Sequence, residues 1–212
     1  MSKQELMAEI VSLGPVVPVL VLDDAAHAEP LADALWAGGL KVFEITLRTP
    51  AALEVIARMK ARQPEAVIGA GTVLTPEQLE EAERAGATFA VSPGTAPLIR
   101  GAAERSPLPF LFGASTASEA MHLLEHGYAN QKFFPAEPAG GASFLKALAS
   151  PLAEVRFCPT GGISQQSAPD YLSLSNVVCV GGSWMVPKAA LSAGDWDQIT
   201  ELAAGAATLA TS

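Results

Sequence analysis

The chain has 212 residues, half of them hydrophobic and 17% charged, with 13 Lys plus Arg against 22 Asp plus Glu for a formal net charge of −9. That apolar fraction excludes a disordered chain and requires a packed core, at a length that suits one domain, since barrels of roughly 200–250 residues commonly form a single core. The acidic balance and the lack of any basic run argue against a nucleic-acid partner, whose phosphates need clustered Lys or Arg.

In chain order, the opening MSKQELMAEI carries acids among its apolar residues, so it reads as a helix over 3–13 and not as a signal peptide. Strand-like runs then recur at 15–22, 41–47, 66–70, 88–91, 109–112, 128–133, 154–157 and 176–180. Between them lie amphipathic stretches such as 25–37, 50–62, 76–85, 116–126 and 141–149. Many of these start with Pro, Ser or Thr near the first turn, and Gly38, Gly86 and Gly127 supply stop signals. The βα unit thus recurs about eight times, which favours a parallel sheet. With no linker or composition break, the expected architecture is α/β: a single closed (β/α)8 TIM barrel over 1–212 with an extra N-terminal helix. An open doubly wound sheet is the alternative.

The longest apolar stretch, 16–22, is interrupted by Pro18 and is far too short to span a bilayer, so no membrane partner is expected. Cys158 and Cys179 lie in apolar runs without metal-ligand spacing and read as a buried reduced pair. A cytoplasmic location is expected.

Barrel geometry makes polar strand residues informative, because side chains alternate in and out and active sites gather at the strands' C-terminal ends. In KVFEITLRT, Val42, Glu44, Thr46 and Arg48 share one face, while Phe43, Ile45 and Leu47 share the other and must pack on helices. Glu44 therefore points into the barrel with Arg48 above it at the rim. A carboxylate there is costly unless paired, so a buried Glu44–Arg48 pair is one reading and an acid/base group is the other.

Lys132, in QKFFPAE, ends the sixth run and shares its face with Phe134. A Lys near a barrel interior loses hydration, and a neighbouring cation adds to the pressure toward a neutral amine. That form can attack a ketone and make a Schiff base. The structural alternative is a Lys that snorkels to the rim and pairs with Glu44.

A third cluster is glycine-rich. Thr160-Gly161-Gly162 ends the seventh run, and Gly181-Gly182-Ser183 ends the eighth. Bare backbone N–H groups followed by short helices make a phosphate site, which barrels often place after these two strands. The same pairs also serve as plain tight turns.

Two competing motifs are weaker. His122 to His126 has the H-x-x-E-H spacing of a zinc peptidase, but Ala117, Ala120, Met121 and Leu124 form the expected buried stripe and leave both histidines facing solvent. Gly69-Ala-Gly71-Thr72 is a partial dinucleotide fingerprint that lacks the third Gly and the ribose-gripping acid. No metal or cofactor is expected.

Taken together, the strings GPVVPVL, EITLRTP, GAGTVLTPEQL, SPGT, KFFPAE, RFCPTGGIS and VGGSW resemble the 2-keto-3-deoxy-6-phosphogluconate (KDPG) aldolases, a family that also acts on 4-hydroxy-2-oxoglutarate. The resemblance runs from about Gly14 to beyond Trp196. It implies a metal-free class I aldolase on a (β/α)8 barrel, usually a homotrimer, that cleaves KDPG to pyruvate and glyceraldehyde 3-phosphate. It assigns the Schiff base to Lys132 and acid/base work to Glu44. It gives the pyruvate carboxylate to Arg48 and Thr72, the site lining to Phe134 and Pro93, and the phosphate to Gly161, Gly162, Gly182 and Ser183, beside Thr160.

Two features depart from the family pattern. The loop after Gly94 is about a residue shorter than the common form, and LFGAST carries Phe112 and Ala114 in place of a Pro and a larger aliphatic. Ala114 is expected to enlarge the pocket and shift aldehyde preference. A phosphosugar isomerase or synthase on a similar barrel is the alternative enzyme. A non-catalytic phosphosugar-binding barrel would keep the glycines but has no use for Glu44 and Lys132.

Overall fold

The computed structural model describes residues 1–210. The first helix, α1 (Lys3–Val11), opens with a capping box: the Ser2 hydroxyl accepts from the Glu5 amide, and the Glu5 carboxylate accepts from the Ser2 amide at 2.7 Å. Strand and helix then alternate: β1 (Val16–Leu20), α2 (Ala28–Ala37), β2 (Val42–Thr46), α3 (Ala52–Arg62), β3 (Val67–Gly71), α4 (Pro76–Arg84), β4 (Phe89–Val91) and α5 (Pro97–Arg105). The second half continues with β5 (Phe110–Leu111), β6 (Gly113–Ala114), α6 (Ala117–Glu125), β7 (Asn130–Phe133), α7 (Gly141–Leu148), β8 (Arg156–Pro159), α8 (Ala168–Leu172), β9 (Val180–Gly182), α9 (Lys188–Ala193) and α10 (Trp196–Ala207).

The result is an α/β fold with a parallel six-stranded sheet, ordered β5-β4-β3-β2-β1-β9, and a parallel three-stranded sheet, β6-β7-β8. The sheets adjoin at Phe112, between β5 and β6. The Leu111 carbonyl accepts from the Ser92 amide at 3.1 Å, on the β4 side, while the Phe112 carbonyl accepts from the Lys132 amide at 2.8 Å, on the β7 side. This handover splits the run expected at 109–112. On the other side, isolated parallel bridges join Phe157 to Val177 and Thr160 to Gly181.

Several element positions differ from the sequence expectation, two of them for a visible reason. β8 begins two residues into the run expected at 154–157 because the Val155 amide closes a turn onto the Leu152 carbonyl at 3.0 Å. The run at 176–180 meets β8 through the single Phe157–Val177 bridge and becomes regular strand only at Val180. Asn176 instead turns its side chain to the Leu145 carbonyl, donating at 2.9 Å. Gly38 lies within right-handed helical geometry, and the left-handed step after α2 falls to Gly39 (φ 92°).

Side chains sort into two packed layers. Phe43, Ile45 and Ile68 bury their outer faces against Leu31, Leu35, Ile56 and Met59 of the helices. Each such burial contributes about 1.5–3 kcal/mol. Val17, Val42, Phe89 and Leu111 of the larger sheet meet Cys158 of the smaller one in an inner cluster, which Met7 and Ile10 of α1 close at one end. Among the described residues no helix is long and apolar enough to cross a membrane.

Candidate active site

Strand alternation fixes the centre of the site. In β2, Val42 joins the inner cluster while Phe43 and Ile45 join the outer one, so Glu44 faces inward. Its neighbour in register across β3 is Gly69. A side chain at Gly71 would overlap the Glu44 carboxylate, so glycine there makes the room this acid occupies.

Lys132 reaches Glu44 from β7, in the other sheet. Its Nζ lies 3.0 Å from Oε1 and 3.4 Å from Oε2, and the two residues are 4% and 3% exposed. Neither sequence alternative describes this contact fully. Glu44 pairs with Lys132 and not with Arg48, and Lys132 stays inside instead of snorkelling to the rim. Removing one partner of such a buried pair typically costs about 3–5 kcal/mol, because the other charge is left uncompensated.

Arg48 sits exposed at the rim, where its Nε donates to the Thr72 Oγ1 at 3.3 Å. Thr72 has φ 59°, a left-handed conformation that is an outlier for a β-branched residue. Strain of this kind costs about 1–3 kcal/mol and gathers at functional sites.

Above the ion pair opens a cleft of about 430 Å³. Lys132, Phe134, Pro93, Arg48 and Thr72 line it. The Phe134 ring centre is 5.5 Å from the Lys132 Nζ. Thr160, Gly161, Gly162, Gly182 and Ser183 line the same cleft. Glu44 lies beneath it, behind Lys132. Gly161 (φ 107°) and Gly162 (φ 83°) are consecutive left-handed residues, a turn that exposes bare backbone to the cleft. The residues assigned in sequence to the lysine, carboxylate and glycine clusters therefore lie at or directly beneath one cleft.

Gly181, part of the second glycine cluster, lines the cleft as well, and so do Val19, Val21 and Ile163, which the sequence reading does not single out. For Val19 and Val21 a signal existed: they continue the inward alternation that Val17 begins in β1.

Phe112 and Ala114 do not line it. Both are buried in the outer layer with Phe110, and Phe112 stacks on Phe110 with ring centres 4.1 Å apart. The expectation that Ala114 enlarges the pocket is corrected by alternation, which turns 110, 112 and 114 toward the helices.

The buried stripe of α6 also differs from expectation. Ala120 and Leu123 are buried, whereas Met121 is 51% exposed, because the face that meets the sheet is rotated by about one position. His122 and His126 are exposed as expected, and the His126 Nδ1 lies 2.8 Å from the His122 carbonyl. Among the described residues no group of three or more His, Cys, Asp or Glu could hold a metal.

Cys158 and Cys179 are free and buried. A hydrogen bond to Cys158, reinforced by burial, pushes the Cys179 thiol well above its ordinary value. A thiol held protonated in this way is a poor nucleophile.

Comparison with known proteins gives a family for the chain. The family described as "Aldolase: KDPG and KHG aldolase" matches residues 7–202. The "KHG/KDPG aldolase" of Escherichia coli strain K12 is 53% identical over 195 residues, covering 92% of this chain and 91% of the relative. The Zymomonas mobilis ZM4 2-keto-3-deoxy-6-phosphogluconate aldolase, solved with 3-phosphoglycerate, superposes with TM-score 0.93 at 46% identity, covering 99% of this chain and 98% of that one. The Legionella pneumophila KDPG aldolase, in which pyruvate was captured as a covalent carbinolamine, gives TM-score 0.92 at 44% identity, covering 94% and 97%. With a family match across nearly its whole length and relatives at about half identity, the chain belongs to the KDPG and KHG aldolase family.

Proposed function

We propose that this chain is a class I aldolase that cleaves KDPG to pyruvate and glyceraldehyde 3-phosphate, and also cleaves 4-hydroxy-2-oxoglutarate to pyruvate and glyoxylate. The observation that carries this reading is the buried Lys132–Glu44 contact of 3.0 Å at the floor of a cleft edged by glycine turns.

In this mechanism Lys132 passes a proton to Glu44 and attacks the C2 ketone with the freed lone pair. The resulting carbinolamine loses water as Glu44 returns the proton, leaving an iminium. Glu44, again a carboxylate, takes the C4 hydroxyl proton. The C3–C4 bonding electrons flow into the iminium, releasing the aldehyde and leaving an enamine. Protonation at C3 and hydrolysis then free pyruvate and regenerate Lys132. Such acid–base help is typically worth about 10²–10⁴-fold. The iminium is the electron sink, so the step needs no added Lewis acid.

Arg48 and Thr72 are assigned to the pyruvate carboxylate, supported by their hydrogen bond at the rim. Phe134 and Pro93 flank the reacting carbons. Thr160, Gly161, Gly162, Gly182 and Ser183 are assigned to the substrate phosphate, supported by the left-handed turn at 161–162 and by their shared cleft. A coupled assay of pyruvate release from KDPG, its C4 epimer and 4-hydroxy-2-oxoglutarate tests the activity. Release from none of them would reject it.

The same reading makes the two sheets one closed (β/α)8 barrel in a single domain over 1–212, supported by the bridges at Phe157–Val177 and Thr160–Gly181. It also makes the enzyme a cytoplasmic homotrimer. Leu74 before α4, Leu98 in α5 and Met121 in α6 are 52%, 78% and 51% exposed, apolar surface on successive βα units that self-association would cover. Light scattering at the mass of three chains is the expected result.

A further inference from the structure

The phosphate turn has a brace on its far side. From Lys132 the chain runs five residues on to Glu137. The Glu137 amide donates to the Gly161 carbonyl at 3.0 Å, and the preceding Ala136 amide donates to the Thr160 carbonyl at 2.8 Å. A side chain at Gly162 would come 2.7 Å from the Glu137 Cγ and 2.8 Å from its Cβ, so the backbone of Gly162 rests directly on the Glu137 stem.

The carboxylate of Glu137 points away from the cleft. Its Oε1 accepts from the Tyr171 hydroxyl at 2.6 Å, and Tyr171, in α8, is only 1% exposed. Glu137 and Tyr171 line a separate depression of about 450 Å³ with Gly140 and Gly141, whereas Gly161 and Gly162 line the cleft. Burial, and then the hydrogen bond to Glu137, push the Tyr171 hydroxyl above its ordinary value, so it remains a donor throughout the neutral range. An anion beside a phosphate site works against binding by charge alone. Its use here is geometric.

We infer that Glu137, anchored by Tyr171, is a positioning residue that fixes the Gly161–Gly162 turn relative to Lys132 and thereby sets selectivity for the phosphorylated substrate. The inference rests on the phosphate assignment proposed above. The nucleophile and the brace share one short segment, so the pair sets the span between the C2 ketone and the phosphate. A relaxed turn lengthens that span and weakens phosphate binding while leaving imine chemistry in place.

The test compares KDPG with its dephosphorylated analogue in Glu137→Ala, Tyr171→Phe and Glu137→Gln, with Ser183→Asp alongside. Glu137→Ala and Tyr171→Phe are expected to raise KM for KDPG by roughly 3–10-fold, the scale of one lost hydrogen bond. Turnover of the dephosphorylated analogue and borohydride trapping of pyruvate are expected to stay near parental values. Glu137→Gln keeps an acceptor for the Tyr171 hydroxyl and is expected to retain the parental KM. Equal losses on both substrates, no loss on either, or a Glu137→Gln variant as impaired as Glu137→Ala would overturn the inference while Ser183→Asp still separated the substrates. If Ser183→Asp fails to separate them, the phosphate assignment falls and the inference falls with it.

Discussion

Lys132 and Glu44 stand on strands of different sheets and meet across the interior at 3.0 Å, with less than a twentieth of either residue exposed. The register makes this possible: Gly69 lies beside Glu44 on β3, and Gly113 lies beside Lys132 on β6. On that flank of each residue the neighbouring position carries no side chain, while Val19 on β1 and Cys158 on β8 stand in register on the other. A donor and an acceptor of one proton are held in contact next to a cleft.

Glu44→Gln keeps the size of the side chain and removes its proton transfer. Turnover is expected to fall by roughly 10²-fold or more, and imine formation with pyruvate to slow as well, because carbinolamine dehydration uses the same proton. Steady-state kinetics together with single-turnover trapping measure both. Near-normal turnover at neutral pH would return Glu44 to a purely structural ion pair.

Selectivity tests the glycine edge of the cleft. Ser183 is exposed at the end of β9 and lines the cleft beside Gly182. Ser183→Asp introduces an anion facing the substrate phosphate, so kcat/KM for KDPG is expected to drop well below that of a dephosphorylated analogue in the same variant. Parallel losses on the two substrates would count against the phosphate assignment.

Much of this arrangement is legible in the sequence, for a physical reason. Period-two alternation turns Glu44, Lys132 and Phe134 to one side without reference to tertiary structure, and paired glycines at two strand ends signal open backbone. Sequence does not say which inward groups meet. Arg48 shares the face of Glu44 only four residues on, but the ion pair forms with Lys132, 88 residues away. The strained Thr72 is equally silent, since a φ of 59° is imposed by the loop it closes and not by a residue preference. Ala114 faces the helices because alternation runs unbroken from Phe110 through Phe112, which comparison with the family pattern alone does not reveal.

That correction has its own consequence. Ala114 is 3% exposed and faces the helices, so Ala114→Leu overpacks the outer layer. A loss of about 1–3 kcal/mol in unfolding free energy is expected, with the ratio of activities on KDPG and 4-hydroxy-2-oxoglutarate unchanged. A changed ratio in a variant of parental stability would place Ala114 back at the pocket.

Metal removal distinguishes the mechanism class. With an iminium as electron sink, activity is expected to survive exhaustive chelation. His122→Ala and His126→Ala, both on the exposed side of α6, are expected to fall within about 0.5 kcal/mol of parental stability and to keep full activity. Activity lost to a chelator and restored by zinc or magnesium would contradict the Schiff-base account.

The most direct measurement is covalent. The chain has lysines at 3, 41, 60, 132, 146 and 188. Lys3 is engaged by the carbonyls of Ala103, Glu104 and Ser106, Lys60 by those of Pro64 and Ala66, and Lys41 lies 3.5 Å over the Trp36 ring. Lys146 and Lys188 are exposed and do not line the 430 Å³ cleft, whereas Lys132 is both buried and at its floor. Borohydride reduction in the presence of pyruvate, followed by peptide mapping, is expected to find one adduct, on Lys132. Lys132→Arg is expected to abolish it, because a guanidinium stays charged and forms no imine. An adduct that persists in Lys132→Arg, or no adduct in the parent protein, would contradict the account.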